Sequence, residues 1–90
     1  MKILDLGCAN NKYRSPNKSD VVIGIDNARI SNVDVVRDLN KFPYPFKKNE
    51  FDLVYTNHTL EHLDNLDKVF QEVIRITKEN CRIKIRVPHF

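Results

Sequence analysis

The run Ile3-Leu4-Asp5-Leu6-Gly7-Cys8, close to the start of the chain, constrains the fold more than any other segment. Its apolar residues follow one another instead of alternating with polar ones, which is typical of a strand buried on both faces of a parallel sheet. Gly7 ends the run and gives the backbone the freedom to turn tightly and approach a ligand. The segment therefore predicts a buried first strand that leads into a ligand-binding turn.

Five segments are predicted to be β-strands because β-branched and aromatic residues cluster there between Gly, Asn, Asp or Pro. They are residues 2–6, 21–25, 33–36, 51–55 and 82–87. The last segment alternates apolar and cationic residues, which predicts one face in contact with water or a polar partner. A chain of 90 residues is long enough for one small domain, and we expect that domain to span residues 1–90.

One amphipathic helix is expected over residues 66–77, because apolar residues at i, i+3, i+4, i+7 and i+8 form a single stripe there. The members of the stripe are Leu66, Val69, Phe70, Val73 and Ile74. Asp64 or Asn65 is expected to cap the start of the helix, and Asn80 to end it in the left-handed conformation. The segment Phe42-Pro43-Tyr44-Pro45-Phe46 predicts an ordered loop, because its prolines exclude a helix.

Charge and cysteine content narrow the functional classes. The net charge of +3 reflects cations in the last quarter of the chain, which indicate a solvated face or, as an alternative, a surface for an anion or nucleic acid. These cations are Lys68, Arg75, Lys78, Arg82, Lys84 and Arg86.

Two isolated cysteines without an export signal predict reduced thiols and a cytoplasmic location. No apolar run approaches the roughly 18 residues of a membrane helix, so no membrane partner is expected.

Acidic or amide side chains end or follow four of the predicted strands. They are Asp5, Asp26, Asp38 and Asn57. Ligands of an open parallel sheet bind beyond the carboxyl ends of its strands, which places these side chains on one rim. Carboxylates and amides suit hydroxyls, an amine and an exocyclic amino group, whereas none of the four is a cation that would bind phosphate. The pattern therefore favours a nucleoside with a charged amine over a nucleoside triphosphate.

Five sequence blocks, in their order along the chain, resemble the class I S-adenosylmethionine-dependent methyltransferases, in particular the type 11-like group. The blocks are Ile3-Leu4-Asp5-Leu6-Gly7-Cys8-Ala9-Asn10-Asn11-Lys12-Tyr13, Gly24-Ile25-Asp26, Asp38-Leu39 with Pro43-Tyr44-Pro45-Phe46, Phe51-Asp52-Leu53-Val54-Tyr55-Thr56-Asn57-His58, and Leu60-Glu61-His62. The resemblance implies an α/β fold, namely a reduced Rossmann-like, mainly parallel sheet of about five strands in the order 3-2-1-4-5 with one main helix. It also implies that the C-terminal elements usual in the family are lacking.

The resemblance implies S-adenosylmethionine as the cofactor and methyl transfer to an acceptor that the sequence does not identify. Asp5 and the turn from Gly7 to Ala9 would lie under the methionine part of the cofactor. Asn57 and His58, just past the fourth strand, would face the methionine end and the methyl acceptor. His58 is in addition a hypothetical substrate-facing base, although methyl transfer from a sulfonium does not require one.

The adenosine end of the cofactor would be bound by residues that follow the second and third strands. By the same resemblance, Asp26 would bind the ribose hydroxyls and Asn27 would border the adenine. Asp38 would accept a hydrogen bond from the adenine amino group, with the backbone of Leu39 close by. His62 is interpreted as a structural or exposed residue.

Three alternative functions remain open at this point. The first is a non-catalytic or split-enzyme fragment that needs a partner chain or a second copy along the fifth strand. The second is a dinucleotide-dependent oxidoreductase, which is disfavoured because no further glycine follows Gly7 in the turn. The third is a zinc site, because His58-Thr59-Leu60-Glu61-His62 matches the H-x-x-E-H pattern of one metallopeptidase class. The position of this pattern after a strand favours the methyltransferase interpretation.

Overall fold

The computed structural model describes residues 1–8, 12–57 and 59–86, with the side chains of residue 61 and residues 80–86 left out. Within these ranges the chain forms β1 (Lys2–Leu6), β2 (Val21–Asp26), β3 (Val35–Val36), β4 (Phe51–Asn57), a 3₁₀ helix (Leu60–His62), α1 (Leu66–Ile76) and β5 (Thr77–Arg86). No helix in these ranges combines the length and the apolar character needed to cross a membrane.

The strands form one parallel sheet in the order β3-β2-β1-β4-β5. The first strand lies in the centre, where Leu4 pairs with Ile23 of β2 and with Val54 of β4. Because all described strands run in one direction, their carboxyl ends meet at a single edge of the sheet. The predicted Rossmann-like α/β arrangement and its strand order are confirmed.

Helix α1 begins as predicted, but its apolar stripe is only half buried. The side chain of Asn65 accepts a hydrogen bond from the backbone N–H of Lys68, so Asn65 is the N-cap. The buried residues of the helix are Val69, Val73 and Ile76, which pack against the core around β1 and β4. Leu66, Phe70 and Ile74, which belong to the predicted stripe, are exposed.

The predicted termination of α1 at Asn80 is wrong, because the chain passes directly from the helix into β5 at Thr77. The Thr77 hydroxyl donates to the Val73 carbonyl at 2.7 Å, and the backbone N–H of Asn49 donates to the Arg75 carbonyl at 2.9 Å. These partners satisfy carbonyls at the end of the helix, so a left-handed cap is not needed there.

The strand boundaries differ from the prediction at four of the five segments, although β2 is longer only by Asp26. The third strand is confined to Val35–Val36, β4 continues as far as Asn57, and β5 begins at Thr77 rather than at residue 82. A register shift between β4 and β5 accommodates the longer last strand. The predicted end of that strand at Val87, and the alternation of its side chains, lie outside the described residues and side chains.

The loop from Phe42 to Phe46 is ordered, as predicted, and covers the core. The Tyr44 side chain is buried, and its hydroxyl donates to the Leu39 carbonyl at 2.9 Å. The ring of Phe46 meets that of Phe51 edge to face, with the ring centroids 4.9 Å apart. Since the loop joins the hydrophobic core, its aromatic residues are structural.

A salt bridge on α1 fastens this loop to the helix. One carboxylate oxygen of Glu72 accepts the backbone N–H of Tyr44 at 2.7 Å, and both oxygens accept from the Arg75 guanidinium. Arg75 also donates to the carbonyls of Tyr44 and Phe46. The hydrogen bonds of Arg75 hold the pKa of Glu72 below its usual value. The loop and the helix therefore behave as one layer over the sheet.

Candidate functional site

A cavity of about 430 Å³ opens at the carboxyl ends of the strands, and we call it the strand-end cavity. Its size lies within the range of small-molecule binding sites. The residues that line it are Gly7, Asp26, Asn27, Asp38, Leu39, Asn40, Asn57, Thr59, His62 and Leu63. They come from the ends of β1, β2 and β4, from the loop after β3 and from the segment between β4 and α1. The site thus lies at the predicted rim.

Six of the nine site residues predicted from the resemblance line this cavity: Gly7, Asp26, Asn27, Asp38, Leu39 and Asn57. Ala9 and His58 lie outside the described residues. Asp5 is absent from the lining. The structure adds four lining residues that the sequence did not single out as site residues: Asn40, Thr59, His62 and Leu63. Thr59 lies two positions after Asn57, and this proximity to a strand end is the signal by which it could have been found; Asn40, His62 and Leu63 carry no such signal.

Gly7 forms the floor of the cavity in a conformation that favours glycine. Its φ is 77°, and its backbone N–H donates to the Ile25 carbonyl at 2.8 Å. A Cβ atom at this position would lie 2.9 Å from Cβ of Thr59 and even closer to the outer atoms of that side chain. The Thr59 hydroxyl is 3.3 Å from the Gly7 carbonyl oxygen and 3.2 Å from that of Asn57, both of which it can donate to. Thr59 therefore joins the turns after β1 and β4.

Two carboxylates stand on the rim, each oriented by the backbone that follows it. One oxygen of Asp26 accepts the N–H groups of Asn27 at 2.7 Å and Ala28 at 3.3 Å. One oxygen of Asp38 accepts the N–H of Asn40 at 2.9 Å. Such turns limit the rotation of the carboxylates. The rim therefore holds two anionic acceptors for ligand hydroxyl or amino groups.

Asn57 lines the same cavity and carries an unpartnered acceptor. Its side-chain oxygen is buried and has no hydrogen-bond partner among the described residues. A buried polar atom without a partner is uncommon and destabilising, and it is often explained by a functional role. A ligand whose N–H or O–H group reached this oxygen would satisfy it.

Comparison with known families identifies the domain. A family model described as a methyltransferase domain matches residues 4–85. The chain belongs to this methyltransferase-domain family. No curated protein and no solved structure matches it. The strand-end cavity is therefore the candidate ligand site of a methyltransferase domain.

Asp5 of the methyltransferase domain is buried in β1 away from the cavity lining. Its carboxylate accepts the backbone N–H of Tyr13 at 2.6 Å, and the Tyr13 ring lies against Tyr55 with centroids 4.6 Å apart. Burial raises the pKa of Asp5 to about 6, although the Tyr13 N–H and the charge of Lys12 lower it. Asp5 therefore anchors the chain that follows the Gly7 turn.

The H-x-x-E-H pattern has a different setting here from that of a metallopeptidase. Residues Leu60–His62 form a short 3₁₀ helix, whereas the metal site would need its histidines on one face of an α-helix. His58 lies outside the described residues. Within the described ranges, no group of three or more His, Cys, Asp or Glu side chains is arranged to hold a metal ion. Membership of the methyltransferase-domain family accounts for the same residues.

Proposed function

We propose that this protein transfers a methyl group from S-adenosylmethionine to an acceptor, with the cofactor in the strand-end cavity. One observation carries the proposal: the cavity of a methyltransferase domain is lined by Asp26, Asp38 and Asn57, three residues whose side chains carry hydrogen-bond acceptors. The cofactor offers matching donors in its ribose hydroxyls, its adenine amino group and its ammonium group. The described lining contains no lysine or arginine, so it does not favour a phosphorylated ligand.

The adenosine end of the cofactor is assigned to the residues that follow β2 and β3. Asp26 would accept from the ribose hydroxyls, and Asn27 would border the adenine. Asp38 would accept from the adenine amino group, beside the backbone of Leu39. This assignment uses the carboxylates that the turns at residues 26–28 and 38–40 already orient.

The methionine end of the cofactor would lie over the Gly7 turn. The unpartnered oxygen of Asn57 supports this part of the proposal, since an ammonium group would supply the missing donor. Ala9 and His58 remain predicted neighbours of this end, and Asp5 would act indirectly, through the segment that its bond to Tyr13 holds. The bound cofactor would supply an electrophilic methyl group, and the chain would contribute by orienting it and the acceptor, which can account for much of the rate.

Isothermal titration calorimetry with S-adenosylmethionine tests the proposal. We expect the wild type to bind and Asp26→Ala to bind about tenfold more weakly or worse, because it loses hydrogen bonds to a charged group. Asp67→Ala is the matched control, since Asp67 lies in the exposed first turn of α1. No heat from the wild type, or equal affinities for the wild type and Asp26→Ala, would contradict the assignment.

A second candidate function is a cofactor-binding subunit that needs a partner chain along β5. Two observations favour it: β5 pairs with β4 alone among the described strands, and α1 exposes Leu66, Phe70 and Ile74. Light scattering coupled to size-exclusion chromatography, together with a methyl-transfer assay, separates the two candidates. A monomer that transfers methyl groups by itself would exclude the need for a partner.

A further inference from the structure

We propose that Asn40 is a positioning residue that latches residues 59–64 beside the strand-end cavity and so slows the escape of the bound ligand. Residues 59–64 are called the strap below. The identity of the ligand rests on the proposed function, whereas the latch itself is argued from the contacts of the chain. Three of the residues involved, Asn40, His62 and Leu63, line the cavity without belonging to any predicted set of cofactor contacts.

The near end of the strap is attached to the sheet. The Thr59 hydroxyl lies within hydrogen-bond distance of the carbonyls of Gly7, which follows β1, and Asn57, which ends β4. Leu60 is buried in the hydrophobic core, at 8% exposure. This end of the strap is therefore immobilised by both polar and apolar contacts.

The far end of the strap is held by Asn40, which lies in the loop after β3. The side-chain oxygen of Asn40 accepts the backbone N–H of Asp64 at 2.9 Å. Asn40 is itself fixed, because its backbone N–H donates to the Asp38 carboxylate at 2.9 Å. The strap thus runs from the end of β4 to the loop after β3, and the cavity lies between these two attachments.

The strap has internal hydrogen bonds that tie its middle to the attached end. The N–H of His62 donates to the Thr59 carbonyl at 3.0 Å, and that of Leu63 donates to the Leu60 carbonyl at 3.2 Å. Leu63 is also partly buried against the core. Release of Asp64 from Asn40 would therefore loosen the far end of the strap and let His62 and Leu63 shift relative to the anchored Thr59 and Leu60. Since both line the cavity, this movement would open the wall that they form.

Amide hydrogen exchange in the protein without ligand tests the latch directly. In Asn40→Ala we expect the Asp64 amide to exchange roughly 2- to 12-fold faster, the range that one net hydrogen bond supports. Asn40→Asp keeps an acceptor oxygen and should restore exchange to within about twofold of the wild type. Asn17→Ala is the matched control, because the side-chain oxygen of Asn17 also accepts a backbone N–H in a turn, that of Ser19. Unchanged exchange at Asp64 in Asn40→Ala would overturn the inference.

The dissociation rate of S-adenosylmethionine, measured by stopped flow, tests the consequence for the ligand. We expect Asn40→Ala to release the cofactor faster by a factor similar to that seen in exchange, and Asn40→Asp to release it no faster than the wild type. Faster exchange at Asp64 with an unchanged release rate would overturn the inference. A wild type that binds no S-adenosylmethionine, while exchange at Asp64 still depends on Asn40, would refute the proposed function and support the latch.

Discussion

Gly7 and Thr59 are packed so closely that position 7 has no space for a side chain. The backbone of Gly7 has a φ of 77°, and a Cβ atom there would lie 2.9 Å from Cβ of Thr59. The Thr59 hydroxyl is at the same time within 3.3 Å of the Gly7 carbonyl oxygen. This contact connects the carboxyl ends of β1 and β4 and shapes the floor of the strand-end cavity.

Substitution of Gly7 by alanine should lower both stability and cofactor affinity. The left-handed conformation disfavours a side chain by roughly 1–2 kcal/mol, and the overlap with Thr59 adds to this. We expect Gly7→Ala to lose about 2 kcal/mol or more of unfolding free energy in urea denaturation. Gly24→Ala is the control, because its Cβ would meet Cys8 Sγ at 2.6 Å outside the cavity lining. Gly24→Ala should lose stability, whereas its folded form should keep the wild-type affinity for S-adenosylmethionine. A Gly7→Ala variant as stable as the wild type would contradict the argument.

The fold was predictable where the local sequence alone decides the structure. The apolar residues Ile3 and Leu4 predict a buried first strand, and a cap at Asp64 or Asn65 is predicted from the side chains, of which the structure selects Asn65. The end of α1 was not predictable, because Asn49 satisfies one of its carbonyls from a distant loop. That contact allows Thr77 to turn directly into β5, so Asn80 has no terminating role.

The candidate site was predictable at the strand ends and less so beyond them. Asp26 and Asn57 are found because a parallel sheet brings the carboxyl ends of its strands together. Asn40 and Leu63 line the cavity because the strap is attached to the loop after β3 by the bond between Asn40 and Asp64. A contact between loops separated by 24 positions leaves no periodic pattern in the sequence.

The unpartnered oxygen of Asn57 predicts opposite effects on stability and binding. Replacing the amide by an apolar group of similar size removes a buried acceptor that lacks a donor. We therefore expect Asn57→Leu to unfold at an unchanged or higher urea concentration than the wild type. Its affinity for S-adenosylmethionine should fall about fivefold or more, because the donor of the ligand then has no acceptor. A variant that loses stability by about 1 kcal/mol or more would show that Asn57 is already satisfied in the free protein.

The Glu72–Arg75 pair should contribute more to stability than an exposed ion pair. Glu72 accepts from Arg75 with both oxygens and also from the Tyr44 N–H, so Glu72→Ala leaves several donors unpaired. We expect a loss of about 2 kcal/mol in urea denaturation. A double-mutant cycle with Arg75→Ala should give a coupling energy of about 1 kcal/mol. Lys78→Ala, which removes a more exposed pair with Asp52, should cost less than about 0.5 kcal/mol. Equal effects of the two pairs would contradict the assigned role.

The buried Asp5 predicts a component of stability that falls as the pH rises. Its pKa is raised from 3.8 to about 6 in the folded protein by burial, so the folded chain binds more protons than the unfolded chain between these values. Stability from this group is complete below about pH 4 and is lost as the pH passes through about 6. Asp5→Asn keeps an acceptor for the Tyr13 N–H but does not titrate. Relative to this variant, the wild type should lose about 2 kcal/mol of unfolding free energy between pH 4 and 7.

Urea denaturation of both proteins at several pH values measures this difference, since the contributions of the other groups cancel. Glu72→Gln serves as a control, because its stability difference from the wild type should change with pH in the opposite direction. The pKa of Glu72 lies below its usual value of 4.5 because of the hydrogen bonds of Arg75, so its contribution is present above that pH and is lost as the pH falls. The advantage of the wild type over Glu72→Gln should therefore grow with pH, whereas its advantage over Asp5→Asn should shrink. Parallel curves for the wild type and Asp5→Asn would mean that the Asp5 carboxyl ionises as it does in the unfolded chain.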